Sequence, residues 1–259
     1  MLAASVIALR EGLEAALIVG ILLGYLKKTG RPALNRYVWA GVSAAAAASF
    51  LLAVVIQSIG LRLEGPAELI FETSTIFLAV GILTYMIFWM RYQARTLRTE
   101  LERDIGVRAE AGQTWGLAGL AFISVLREGV ETALFLSAAV FVNRSGPTLI
   151  GAIVGLALAV GAGYLLYSST ARLNMRLFFT LTSLVLLVFA AGLLASGLHE
   201  LQEAQLVPVL NGTLWNTGHM VPDGSTLGQL LNAVVGYRSQ PSLLEVIGYV
   251  TYLLATLFG

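Results

Sequence analysis

Seven stretches of this 259-residue chain are apolar for about the 20 residues that a helix needs to cross a bilayer core. They run roughly over Leu2–Leu26, Asn35–Ile59, Ala67–Met90, Thr114–Val142, Pro147–Ser169, Arg176–Leu198 and Leu243–Phe258. No other property limits the fold so strongly. Backbone groups in lipid must all be hydrogen-bonded within the protein, and continuous apolar runs manage this as helices rather than as the alternating strands of a barrel. Composition agrees. Hydrophobic residues make up 57% and charged residues 12%, against about 25% charged in an ordinary soluble domain. The expected class is an all-α integral membrane protein. The first apolar run has no basic residue before it and exceeds signal-peptide length, so it reads as a retained span.

Basic residues are uneven along the chain. Lys27, Lys28, Arg31 and Arg36 join spans one and two. Arg91, Arg95, Arg98, Arg103 and Arg108 lie between three and four, and Arg172 and Arg176 between five and six. The opposite side carries Arg62, Arg144 and Arg238. The positive-inside rule then places the N-terminus outside and the C-terminus in the cytoplasm. The run "RTLRTELERDIGVRAE" reads as a solvated cytoplasmic helix of mixed charge. The connection Glu200 to Gln240 contains "STLGQLLNAVVGY", whose apolar spacing suits a short helix on the surface.

Two basic residues fall inside spans, and both open the same motif. Arg10-Glu11-Gly12-Leu13-Glu14 and Arg127-Glu128-Gly129-Val130-Glu131 share R-E-G-[LV]-E and continue as "EAAL" and "ETAL". Three spans separate them, so span one runs inward and span four outward. The expectation is an inverted repeat of three helices plus three, with a seventh added. Its parts are residues 1–90, residues 113–200, an extracytoplasmic loop at 201–240 and a last helix at 241–259. At 1.5 Å per residue both motifs reach the midplane, roughly 15–20 Å from their respective membrane faces.

Charge at that depth is costly and is functional by default. Glu11 and Glu14 are three apart on one helix face, as are Glu128 and Glu131. Two facing pairs make a cage of carboxylates that either shares protons or binds a multivalent cation. Oxygen ligands suit hard ions such as calcium, magnesium, manganese or iron. Cysteine is absent from the sequence, which excludes thiolate sites and disulfides. Arg10 and Arg127 are the charge partners, each four residues before a glutamate, and they lower the net charge of the group. Gly12 and Gly129 remove bulk and are expected to let the two motif helices approach closely. A structural ion-pair cluster is the competing reading. It suits a single copy better than two copies in inverted spans.

Glu72, in span three, is expected as an additional ligand or relay, with a hydrogen-bonded structural acid as the competing reading. His199, Glu200 and Glu203 end span six on the outer side, where they form a candidate capture point or simply a solvated helix end. "GILLG" (Gly20, Gly24) and "GAIVG" (Gly151, Gly155) fit G-x-x-x-G helix packing. His219 and Asp223 carry only a weak signal. No H-E-x-x-H, nucleophile–base pair or cofactor motif is visible, so an intramembrane enzyme or a membrane anchor is the less favoured class, and no prosthetic group or nucleic acid is expected.

The doubled R-E-G-x-E motif resembles that of the high-affinity iron permease family, which includes fungal permeases coupled to a multicopper oxidase and bacterial ferrous iron uptake permeases. Phe71-Glu72, "MIFWM" at Met86–Met90, "HELQEA" at His199–Ala204, "LWNTG" and "VVGYRSQPSLLEVIGY" resemble the bacterial branch. The resemblance covers nearly the whole chain. It implies iron, ferric or ferrous, as transported substrate in the cytoplasmic membrane, and Glu11, Glu14, Glu128 and Glu131 as its ligands. It also implies periplasmic iron-binding and iron-oxidising partners, and an oligomer is compatible with it. Another divalent cation, manganese or lead, fits the same ligands.

Overall fold

A computed structural model describes residues 2–93, 97–110, 114–142, 147–168 and 175–258. Arg95, Arg144, Arg172 and Ser169 lie outside the described residues, as do the side chains of Arg91, Arg98 and Arg176. The elements are helical: α1 (Leu2–Lys28), α2 (Asn35–Gly60), α3 (Pro66–Gln93), α4 (Leu97–Glu110), α5 (Thr114–Val142), α6 (Pro147–Ser168), α7 (Met175–Glu203), α8 (Thr226–Val235) and α9 (Leu243–Phe258). Each of the seven apolar stretches is therefore a helix, with ends moved by a few residues. Among the described residues, Pro32–Gly60, Pro66–Phe88 and Thr180–Glu203 are long and apolar enough to cross a membrane, and Thr148–Tyr164 and Leu243–Phe258 are shorter apolar helices. The protein is a helical membrane protein.

Local chemistry sets the helix ends. Two lysines close α1, where cations complement the helix dipole. Gly30 follows at φ +71, and Arg31 N–H reaches the Leu26 carbonyl at 2.9 Å, so the helix ends in a Schellman turn. Pro66 starts α3 and Pro147 starts α6, where the missing N–H costs nothing. Ser225 caps α8 by accepting from Gly228 N–H, and Gly236 ends it in the left-handed region. Ser242 and Glu245 bond reciprocally, each side chain to the other's N–H, as a capping box on α9.

The helices pair in a specific way. α1 packs most extensively on α6 and α2 on α5, while α3 lies along α7, and α7 along α9. Small residues explain the first two contacts. A Cβ on Gly12 would meet Ala159 at 2.7 Å, one on Gly163 would meet Ala16 at 2.8 Å, and one on Gly155 would run into the Ser5 backbone. On the other side Gly41 lies against the backbone of Ala118 and Phe122, and Gly129 against Ser49. The motif glycines thus do allow close approach, but toward α6 and α2 rather than between α1 and α5. A methyl group on Gly20 or Gly24 would meet nothing within 4 Å, so Gly155, unlike these two, is a G-x-x-x-G glycine that makes a helix contact.

Two apolar clusters flank the motifs. One joins Ala3 and Ile7 of α1 to Leu83 and Met86 of α3, Phe135 and Ala138 of α5 and Phe189 of α7. The other joins Leu22 and Leu26 of α1 to Val38 of α2, Leu101 and Ile105 of α4 and Leu117 of α5. The α4 helix is thus not wholly solvated, because its Leu101–Ile105 edge is buried against α1 and α5. Residues 10–14 and 127–131 fall between these clusters on their helices, which fixes their depth in the bundle.

Candidate metal centre

The contact of α1 with α5 brings the two motifs together. One carboxylate oxygen each from Glu11, Glu128 and Glu131 lies within 4.8 Å of the others, and all three residues are buried. Three oxygens around one hard cation at about 2.0–2.6 Å lie roughly 3–4.5 Å apart, so small side-chain shifts bring all three onto one ion. Each of these glutamates also keeps an Oε2 buried and without a hydrogen-bond partner. Burying an unpaired carboxylate oxygen costs several kcal/mol unless something compensates it. A bound cation would.

Glu14 stands at the edge of this group rather than in it. Its side chain is 12% exposed, with Oε1 3.2 Å from Arg10 Nη2. It remains within electrostatic reach of Glu131 and Arg127 across the helix contact. Arg10 is fully buried. Its Nη1 donates to Glu11 Oε1 at 3.2 Å and to Met86 Sδ at 3.1 Å. Arg127 Nε donates to Glu131 Oε1 at 3.2 Å and lies 3.8 Å from Glu128 Oε1. With all four acids ionised, four negative charges meet two positive ones, which leaves a formal charge of −2 for a cation to neutralise.

Glu72 is buried on α3 but is not among the three converging acids. Its neighbour Phe71 meets Phe141 edge-on at 6.1 Å between centroids. Phe141 lies about ten residues, or ~15 Å, beyond Glu131 on α5. His199 is already engaged. Its Nδ1 lies 3.0 Å from Glu245 Oε1, and its Nε2 is 3.6 Å from Glu203 Oε2. Glu200 is half-buried and Glu203 is largely exposed.

Two contacts to candidate residues are not announced by the sequence, Met86 on Arg10 and Glu245 on His199. A methionine in an apolar helix carries no sign that an arginine will reach its sulfur. Glu245 does carry one: Ser242-Leu243-Leu244-Glu245 is an S-x-x-E capping sequence. That pattern gives the link to Ser242. It does not give those to His199 and Arg238, whose Nε lies 3.9 Å from Glu245 Oε2.

Residues 1–258 match the family described as the iron permease FTR1 family. The chain is 37% identical over 253 residues to the ferrous iron permease EfeU of Escherichia coli, covering 97% of this chain and 92% of that protein. It is 36% identical over 253 residues to the ferrous iron permease EfeU of Yersinia pestis, covering 97% and 90%. No solved structure matches the chain.

Proposed function

Since the chain belongs to the iron permease FTR1 family, and so is a transporter rather than an enzyme, we propose that it imports iron across the cytoplasmic membrane through the two R-E-G-x-E motifs. The observation that carries this reading is the convergence of Glu11, Glu128 and Glu131, each with a buried unpartnered oxygen. Glu14 completes the ligand set from the edge when an ion arrives. Iron reaches the group from the outer side, past Glu72, after capture near His199, Glu200 and Glu203. Periplasmic iron-binding and iron-oxidising proteins deliver it.

The reading assigns seven spans, with the N-terminus outside and two inverted halves of three helices. Helix pairing supports it. Exchanging α1, α2 and α3 with α5, α6 and α7 turns the α1–α6 contact into the α5–α2 contact and returns α3–α7 to itself. Gly12 against Ala159 and Gly129 against Ser49 are related by the same exchange. A site at the contact of inverted halves, near the midplane, is where such transporters hold substrate.

The test is uptake of ferrous and of ferric iron, separately, into proteoliposomes holding only this chain. Wild-type uptake that is lost in Glu11→Ala/Glu128→Ala, with the double variant still present in the membrane, is the expected outcome. Uptake by that variant near the wild-type rate overturns the assignment. Competition by manganese in the same assay tests the rival cation.

A further inference from the structure

Arg10 and Arg127 hold the same place in their motifs, yet their surroundings differ. Arg10 is 0% exposed and is bound on three sides, by Glu11, Glu14 and the sulfur of Met86 on α3. The Arg127 side chain is 43% exposed, and among the described residues its ion pairs are with its own helix, through Nε. The residues before them differ in the same sense. Ile123, one turn before Arg127, is 68% exposed. Val6, in the corresponding place before Arg10, packs against the apolar cluster around Ile7 and Phe135.

We propose that Arg127 is the displaceable counter-charge of the carboxylate group and stands at its open side, whereas Arg10 is a fixed part of its wall. The inference rests on the transport reading above for the identity of the ion. A cation entering between Glu11, Glu128 and Glu131 competes for the Glu131 oxygen that Arg127 holds. Arg127 yields because its side chain is 43% exposed and, among the described residues, its ion pairs are made through Nε alone, so it has fewer contacts to give up than Arg10. Arg10 does not yield, since leaving its acceptors would strand a buried charge. In α5 Arg127 precedes the glutamates, on the side from which that helix starts. In the proposed orientation this is the cytoplasmic side, so the open side is the exit. Arg127 is a positioning residue that reoccupies the carboxylates as the ion departs.

The native chain has no cysteine, so single thiols report position cleanly. Ile123→Cys and Val6→Cys would each be exposed to a charged, membrane-impermeant thiosulfonate in vesicles of both orientations. Ile123→Cys is expected to react from the cytoplasmic side at least about tenfold faster than Val6→Cys reacts from either side. Failure of Ile123→Cys to react, as a lipid-facing position would fail, overturns the exit assignment whether or not iron moves. The second measurement is anaerobic calorimetric titration of ferrous ion into detergent-purified protein. Arg127→Gln is expected to bind about three- to tenfold more tightly, because the competing cation is gone, and Arg127→Lys to return toward wild type. Unchanged or weaker binding by Arg127→Gln overturns the counter-charge role. A wild type that binds ferrous ion but transports none overturns the transport reading alone, and one that binds none overturns both.

Discussion

Gly155 tests whether the α1–α6 contact is what aims Glu11 at the α5 acids. A methyl group there would lie 2.9 Å from both the carbonyl carbon and the Cα of Ser5. The Ser5 carbonyl oxygen would be nearer still, and since atoms in contact prefer about 3.5–4.0 Å between carbons, Gly155→Ala must part the helices locally by about 1 Å. The obstacle is backbone and cannot rotate away. A gap of that size forfeits about a quarter to a half of the dispersion well for the atoms facing it, and overpacking of this kind costs about 1–3 kcal/mol. For a chain of this length each kcal/mol moves the melting temperature by about 2–4 °C. Gly155→Ala is therefore expected to melt roughly 2–12 °C lower in detergent and to weaken ferrous binding, because Ser5 lies less than two turns before Glu11 on the same helix. Gly20→Ala is the matched control. It sits on α1 with nothing within 4 Å, and the same change there is expected to stabilise the helix by about 0.5–1 kcal/mol. Gly155→Ala with wild-type melting and wild-type binding would refute the reasoning, since a methyl group would then fit where the backbone of α1 runs.

Three further outcomes follow from other contacts. Glu245→Gln takes a buried anion from between His199 and Arg238, and is expected to lower the detergent melting temperature while leaving ferrous affinity, read by calorimetry, within about twofold of wild type. Thr84 Oγ1 and Tyr252 Oη are 2.7 Å apart and join α3 to α9, so Thr84→Val is expected to cost about 1 kcal/mol, measured as a shift in the same melting curve. Gly236 has φ +69 and touches the Gly192 backbone of α7; Gly236→Ala is expected to destabilise by about 1–3 kcal/mol, and limited proteolysis of the 204–242 connection reports the loosening.

Period and length in the chain itself set much of this architecture. Uninterrupted apolar runs of about 20 residues have few ways to satisfy their backbone except as helices, and each run from Leu2 to Phe258 is one. Proline and glycine mark the ends, at Pro66, Pro147 and Gly30, because φ restriction and freedom are local properties. The doubled R-E-G-x-E is legible for the same kind of reason. Ionisable side chains inside an apolar run are expensive wherever the run packs, so their presence alone identifies the candidate residues.

Partner choice was not legible, because it depends on surfaces contributed by distant segments. Only the tertiary structure decides that Gly12 seats on Ala159 and Gly129 on Ser49, that Glu11 rather than Glu14 joins Glu128 and Glu131, and that Glu72 stands apart from them. Two motifs of the same pattern are indistinguishable as strings of residues. The folded bundle makes them unequal, because α3 brings Met86 over Arg10 while the ion pairs of Arg127 among the described residues stay on its own helix. An i to i+4 pair is fixed by one helix, but burial is fixed by the neighbours that the rest of the chain supplies.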